Sequence, residues 1–212
     1  MKSGRCYIAG AGHFNESELP AKNDYVIAAD AGYFELSKMN VTPDFLIGDF
    51  DSVGFVPEIE NVSQYPADKD DTDMMLAVKH GLGEGYKTFI INGGTGGRLD
   101  HTLANIQLLS FIAANGGRGY LIGESDKMTA ITNGYISFSP MATGIVSVFA
   151  ASGDAFGVDI QGMKYPLLDA TLSPGVPLGV SNEFTGMFAT VGVRRGTLLV
   201  VWSCGLDTVI KI

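Results

Sequence analysis

Up to about Gly123 the chain repeats one pattern: a short, unbroken apolar run, a turn, then a stretch with helical spacing. The runs are Cys6-Tyr7-Ile8-Ala9, Tyr25-Val26-Ile27-Ala28-Ala29, Phe45-Leu46-Ile47, Thr88-Phe89-Ile90-Ile91 and Gly119-Tyr120-Leu121-Ile122. A strand with one wet face alternates apolar and polar side chains, whereas a strand buried on both faces stays apolar throughout. Unbroken runs separated by helical stretches therefore predict a βαβ series and a mostly parallel sheet between helices, a three-layer α/β domain. Thr72 to Leu82 places Met75, Val78 and Leu82 at helical spacing. Asp100 to Ala114 places Leu103, Ile106, Leu109 and Ala113 on one stripe, widened by Leu108 and Ile112. Both stretches open on acidic residues, which suit a helix N-terminus, and Asp70 and Asp71 are N-cap candidates for the first.

After about Glu124 the helical period stops. Short β-prone pieces follow, among them Met128–Thr132, Tyr135–Phe138, Ile145–Phe149 and Thr197–Trp202, with Asn133-Gly134 reading as a two-residue hairpin turn. The sequence thus predicts an α/β domain over residues 1–123 and an all-β sandwich over 124–212. No repeat, low-complexity segment or Ser/Gly linker separates them.

A net charge of −9 argues against a nucleic-acid partner, which would require clustered Lys and Arg. No apolar run reaches the roughly 18 residues of a membrane span, and the first residues lack a signal peptide's apolar core, so a cytoplasmic protein is expected. Cys6 and Cys204 show no metal-binding spacing and read as free thiols.

Charge is distributed unevenly. Nine of the 23 acidic residues lie between Asp44 and Asp73, against a single Lys69. Six of them fall in Gly48-Asp49-Phe50-Asp51-Ser52 and Asp68-Lys69-Asp70-Asp71-Thr72-Asp73. Two carboxylates ~5 Å apart at an effective dielectric near 20 repel by about 3 kcal/mol, so such clustering calls for a cation. Asp49 and Asp51 follow an apolar strand and, in extended chain, point to one side; Asp70 and Asp73 are spaced to share a helix face. Mg²⁺ fits such donors, because it takes one or two carboxylates and completes its shell with water and phosphate. A solvated turn is the plain alternative for the first cluster, and Lys69 can either meet phosphate or neutralise its neighbours.

Gly93-Gly94-Thr95-Gly96-Gly97-Arg98-Leu99-Asp100-His101 adds a flexible turn whose amides can approach an anion, backed by a helix N-terminus and an arginine able to fork onto phosphate. It is neither a P-loop nor a dinucleotide fingerprint. His101 and Asn105 lie one turn apart on the helix. Gly10-Ala11-Gly12 implies a tight turn and no more.

In order along the chain, these segments resemble the thiamine pyrophosphokinase family. The likeness covers Ala28-Ala29-Asp30-Ala31-Gly32, Pro43-Asp44, Gly48–Ser52, Lys69–Asp73, Gly93–His101 with Asn105, and Gly179-Val180-Ser181-Asn182-Glu183-Phe184. The resemblance implies a catalytic α/β domain and a thiamine-binding β-sandwich. It implies a homodimer with thiamine across the subunit boundary, and transfer of the terminal diphosphoryl group of ATP to the thiamine hydroxyl. It implies that Asp49, Asp51, Asp70 and Asp73 hold Mg²⁺ and the ATP phosphates, and that Arg98 and Asp100 complete the phosphate site. Ser181 and Asn182 would contact thiamine, and Asp30 would share the pocket. Lys69, Thr72, Gly94, Gly97, His101 and Asn105 are the further candidates on the nucleotide side. Asp51, Asp73, Arg98 and Asp100 are the candidates for the chemistry itself, with Asp100 or Asp73 as proton acceptor. Trp202 can stack on thiamine or fill the sandwich core.

Three other readings use part of this pattern. A diphosphokinase acting on a hydroxymethylpterin would share the ATP chemistry. A haloacid-dehalogenase-type phosphatase would use the Asp-x-Asp but leave the glycine turn unexplained. A non-enzymatic nucleotide or metal sensor would bind without turnover.

Overall fold

In a computed structural model the described residues are 2, 4–49, 61–66, 70–140 and 142–210. They divide into two units, one of residues 2–108 and 115–124, the other of 109–114 and 125–210.

The first unit is built on six parallel strands: β1 (Arg5–Ala9), β2 (Tyr25–Ala29), β3 (Phe45–Gly48), β4 (Val62–Gln64), β5 (Thr88–Asn92) and β6 (Arg118–Ile122). Their order is β6-β5-β1-β2-β3-β4. Every apolar run of the sequence in this half is one of these strands, while β4, with only Val62-Ser63-Gln64, carries too little apolar signal to be read beforehand. Register places Cys6 beside Tyr25 and Phe89, and Ile27 beside Phe45, all on one face of the sheet.

Helix α2 (Asp73–Gly83) covers that face. A Cβ at Gly81 would sit 2.7 Å from the Phe89 ring and 2.9 Å from Cys6 Sγ, and the His80 ring stacks on Phe45 at 3.8 Å between centroids. The buried positions are Met74, Ala77, Val78 and Gly81, so the helix is turned by about one residue from the Met75/Val78/Leu82 stripe. Small residues let its backbone come close to the sheet, and the larger apolar side chains flank the contact. Its N-cap is neither Asp70 nor Asp71 but Thr72, whose Oγ1 accepts from Met75 N–H at 3.2 Å. In α3 (Leu99–Ala114) a similar rotation buries Asn105, Leu108, Leu109 and Ile112 and leaves Leu103 53% exposed. Helix α1 (Gly32–Lys38) joins β2 to β3, running across the sheet in the opposite sense to α2 and α3. Right-handed crossovers place it on the other face. The segment 11–24 lies on that face too, over Tyr7, whose hydroxyl donates to Glu18 O.

The second unit contains two antiparallel sheets, a β-sandwich. One has the order β12 (Gly179–Glu183), β9 (Ile145–Ala150), β14 (Thr197–Trp202), β7 (Lys127–Thr132); the other is β11 (Leu167–Leu172), β10 (Ala155–Gln161), β13 (Ala189–Arg195), β8 (Tyr135–Phe138). Asn133-Gly134 is not a hairpin turn. β7 pairs with β14 and β8 with β13, so the turn hands the chain from one sheet to the other. Asn133 holds a positive φ of 48°, its N–H donates to Gly196 O, and its Oδ1 accepts from Gly196 N–H. Gly196 lies between β13 and β14, where the chain again passes from one sheet to the other. Trp202 is a core residue: it is 1% exposed and meets Phe138 edge-on at 5.5 Å.

Candidate active site

In an open parallel sheet, ligands bind beyond the C-terminal strand ends where the order of strands reverses. Here that point lies between β1 and β5, because the chain moves outward from β1 through β2 to β4 and then resumes at β5 on the other side. A cleft of about 560 Å³ opens there.

Two loops form one side of it. The loop after β1 and the turn after β5 are bonded back to back: Gly10 N–H donates to Asn92 O, Gly12 N–H to Gly93 O and His13 N–H to Thr95 O, at 2.6 to 2.7 Å. The glycines of both loops are required by this approach. A Cβ at Gly10 would stand 2.6 Å from Gly93 O, one at Gly12 would collide with Thr95 O, and Gly93 itself has a φ of 74°. Gly10-Ala11-Gly12 is thus one wall of the cleft, a role that a bare GxG did not announce. From the other side Asn105 Nδ2 donates to Gly94 O at 2.7 Å. The turn's carbonyls point away to these partners, while the N–H groups of Gly94, Gly96 and Gly97 find no carbonyl among the described residues. Gly96 and Gly97 both have positive φ, a shape in which successive amides converge on an anion.

The acidic wall comes from three other strand and helix ends. Asp30 follows β2, Asp49 follows β3, and Asp70, Asp71 and Asp73 surround the start of α2; all line the same cleft. Asp30 adopts a φ of 48°, with its N–H bonded to Ile47 O at 2.8 Å. A residue with a Cβ occupies that region at a cost of the order of 1–2 kcal/mol, and such strain collects at functional positions. Gly48 allows it, since a Cβ there would stand 3.1 Å from Asp30 Cα. Asp71 is tied to Lys79 at 2.6 Å. Among the described residues no three acidic, His or Cys side chains form a ready-made cation cage. The donor set still suits Mg²⁺, a hard cation that needs few carboxylates when phosphate and water complete its octahedron.

Arg98 and His101 complete the lining beside Asn105. Asp100 does not face the cleft. It is 63% exposed and holds Arg98 in a fork, Nε to Oδ1 at 3.1 Å and Nη2 to Oδ2 at 2.6 Å. That hydrogen bonding pulls the Asp100 carboxyl down to about 2. Asp51 and Lys69 lie outside the described residues.

Ser181 and Asn182 belong to the second unit. Ser181 is exposed, with a φ of 58° at a bulge between β12 and β9. Asn182 is 3% exposed, and its carboxamide is largely used within the fold. Nδ2 donates to Tyr165 O at 2.7 Å, and Oδ1 accepts from Tyr165 N–H and Glu183 N–H, each at 2.9 Å.

An acidic wall facing a glycine-arginine turn across a sheet's switch point, in a chain with a separate β-sandwich, has the form of a nucleotide-dependent phosphotransferase. Residues 17–118 match the family model described as thiamin pyrophosphokinase, catalytic domain, and residues 132–198 that of the thiamin pyrophosphokinase vitamin B1 binding domain. A thiamine pyrophosphokinase of Bacillus subtilis is 30% identical over 194 residues, covering 84% of this chain and 86% of that one. The chain belongs to the thiamine pyrophosphokinase family. The crystal structure of thiamine pyrophosphokinase from Bacillus subtilis superposes with a TM-score of 0.85 at 26% identity, covering 95% of this chain and all of that one (100%). The Enterococcus faecalis family protein gives 0.77 at 26% identity, covering 96% and 100%. The yeast enzyme, at 15% identity and TM-score 0.74 over 98% and 88%, shares the fold.

Proposed function

We infer that the protein is a thiamine diphosphokinase: it transfers the diphosphoryl group of ATP to the thiamine hydroxyl, giving thiamine diphosphate and AMP. The observation that carries this reading is the cleft at the β1/β5 switch point, where carboxylates and an amide-rich turn face each other within the span matching the family's catalytic domain.

Diphosphoryl transfer needs the attacking oxygen held in line with the β-phosphorus and the developing charge stabilised. The amides of Gly94, Gly96 and Gly97 would receive phosphate oxygens, and Arg98, swung from Asp100, would fork onto them. Asp49, Asp70 and Asp73, with Asp51, would hold Mg²⁺. When bound, that ion neutralises phosphate charge and orients the chain of phosphates. Of the two carboxylates nominated to take the hydroxyl proton, Asp73 lines the cleft, whereas Asp100 is turned from it toward Arg98. Thr72 caps α2 and so sets where Asp73 stands, and Lys69 would add positive charge near the phosphates. Ser181 would meet thiamine directly, while Asn182 would shape that region by holding Tyr165 in place.

A homodimer is part of the same reading. The second unit exposes Leu168 (80%), Met187 (63%), Val176 (59%) and Phe188 (52%), apolar area that a second copy would cover. Among the described residues no helix is long and apolar enough to cross a membrane, and we place the enzyme's work in the cytoplasm. The test is product identity by mass spectrometry after incubation with ATP, Mg²⁺ and thiamine, with acceptor-free and EDTA controls. Thiamine-dependent AMP and thiamine diphosphate are expected. AMP formed only with a pterin alcohol, free phosphate, or no ATP consumption would each replace this reading.

A further inference from the structure

Asn92, the last residue of β5, is 0% exposed and precedes the glycine turn directly. Its carboxamide is saturated, and its partners define which end is oxygen. Oδ1 accepts from Asn15 N–H at 2.9 Å and from Gly93 N–H at 3.0 Å. Nδ2 donates to the Tyr7 hydroxyl at 2.9 Å and to Asn15 O at 2.8 Å, with Glu18 O at 3.2 Å sharing the second hydrogen. Tyr7, itself buried in β1, donates its hydroxyl hydrogen bond to Glu18 O at 3.0 Å. Asn15 continues the chain of contacts, its Nδ2 donating to Gly123 O at 2.9 Å and Glu124 O at 3.0 Å just beyond β6. Asn92 therefore joins the segment 11–24 to the first amide of the glycine turn at the end of β5, and through Asn15 to the end of β6.

A buried carboxamide with all four hydrogen-bonding positions filled is costly to disturb and holds its partners in one geometry. What it holds here is the relation between the two glycine loops. The Gly10–Gly12 loop runs straight into the segment that Asn92 grips, and the Gly93–Gly97 turn starts from the amide that Asn92 accepts. We propose that Asn92 is a positioning residue for the nucleotide's phosphates, fixing the two loops at the separation the phosphates require. This rests on the reading of the cleft as the ATP site.

Asn92→Asp separates this role from simple packing. It keeps volume and the acceptor for Gly93 N–H, but sets an oxygen against Asn15 O and Glu18 O in place of the amide donor. Asn15→Ala is the gentler companion, leaving Asn92 bonded to the residue-15 backbone while freeing the segment from Gly123 and Glu124. The measurement is ATP·Mg²⁺ affinity by calorimetry beside KM for thiamine and the melting temperature. We expect Asn92→Asp to weaken ATP binding roughly tenfold or more, and Asn15→Ala about threefold, with thiamine KM within about twofold of the parent; tenfold is 1.4 kcal/mol. Unchanged ATP affinity in folded Asn92→Asp overturns the proposal. So does a parallel decline of ATP affinity, thiamine KM and stability, the signature of a merely structural residue. If Asn92→Asp does not fold, Asn15→Ala decides by the same criteria. ATP affinity is read without turnover, so a wild-type protein that makes no thiamine diphosphate counts against the proposed reaction alone.

Discussion

Arg98 and Asp100 face each other across one intervening residue, and both arms of the carboxylate are taken by the guanidinium. The pair is exposed, and exposed ion pairs contribute little, so an arriving phosphate can displace Asp100 readily. Arg98→Lys keeps the charge but loses the fork. We expect kcat/KM for ATP to fall by about tenfold or more, with circular dichroism unchanged. Asp100→Asn should leave kcat within about tenfold and leave the acid limb of the pH profile in place, since the Asp100 carboxylate is turned from the cleft. A loss of 10³ in kcat with a shifted limb would restore Asp100 as the base.

The acidic wall gives the second prediction. Asp49→Asn, Asp70→Asn and Asp73→Asn should each remove most turnover while keeping the melting temperature within a few degrees, and Asp51→Asn should behave the same way. EDTA should abolish activity and excess Mg²⁺ restore it. A mutant with near-normal kcat removes that residue from the metal set.

Gly81 provides a prediction about packing alone. Alanine there favours the helix by about 1 kcal/mol, but its methyl meets Phe89 at 2.7 Å and Cys6 at 2.9 Å. Overpacking of this kind costs about 1–3 kcal/mol, so Gly81→Ala should lower the urea midpoint. A raised midpoint would mean that α2 can lift from the sheet freely.

His80 supplies a pH dependence. Burial against Phe45 lowers its pKa from 6.5, and its Nε2 lies 3.1 Å from the Tyr25 hydroxyl. Lys2 also lowers it and Glu84 raises it. As the folded value is the lower one, the unfolded chain takes up the proton first when pH falls. The stabilisation is whole above about 6.5 and is lost as pH drops through the folded value. Melting temperature should therefore fall from pH 7 to 5, and His80→Phe should flatten that slope; an equal slope in the variant would assign the acid sensitivity elsewhere.

The parallel strands could be read ahead of the structure because burial on both faces leaves an unbroken apolar run, and β4 escaped because an edge strand of three residues needs none. The buried helix face lies one position from the stripe of bulky residues, because in α2 the small Ala77 and Gly81 carry the contact with the sheet. Asn133-Gly134 has the chemistry of a hairpin turn, but partners are chosen by strands far away, which no local pattern encodes. In the cleft, clustered charge and glycine drew attention to Asp49, Asp70, Asp73 and Arg98. Asn92 and Asn15 carry no such mark. A buried amide differs from a surface one only through neighbours that the fold brings, and the one hint was an Asn ending an apolar run.

The strand that completes one sheet of the sandwich is among the last to be made. β14 lies between β7 and β9, with Leu199 opposite Ala130 on one side and Phe149 on the other. During synthesis those two strands emerge early and wait for a partner that is tens of residues behind. Such long-range pairing is slow and leaves unpaired strand edges exposed in the meantime. A chain made only as far as Gly196 would hold β7 and β9 without the strand that joins them, so both edges stay open until β14 arrives.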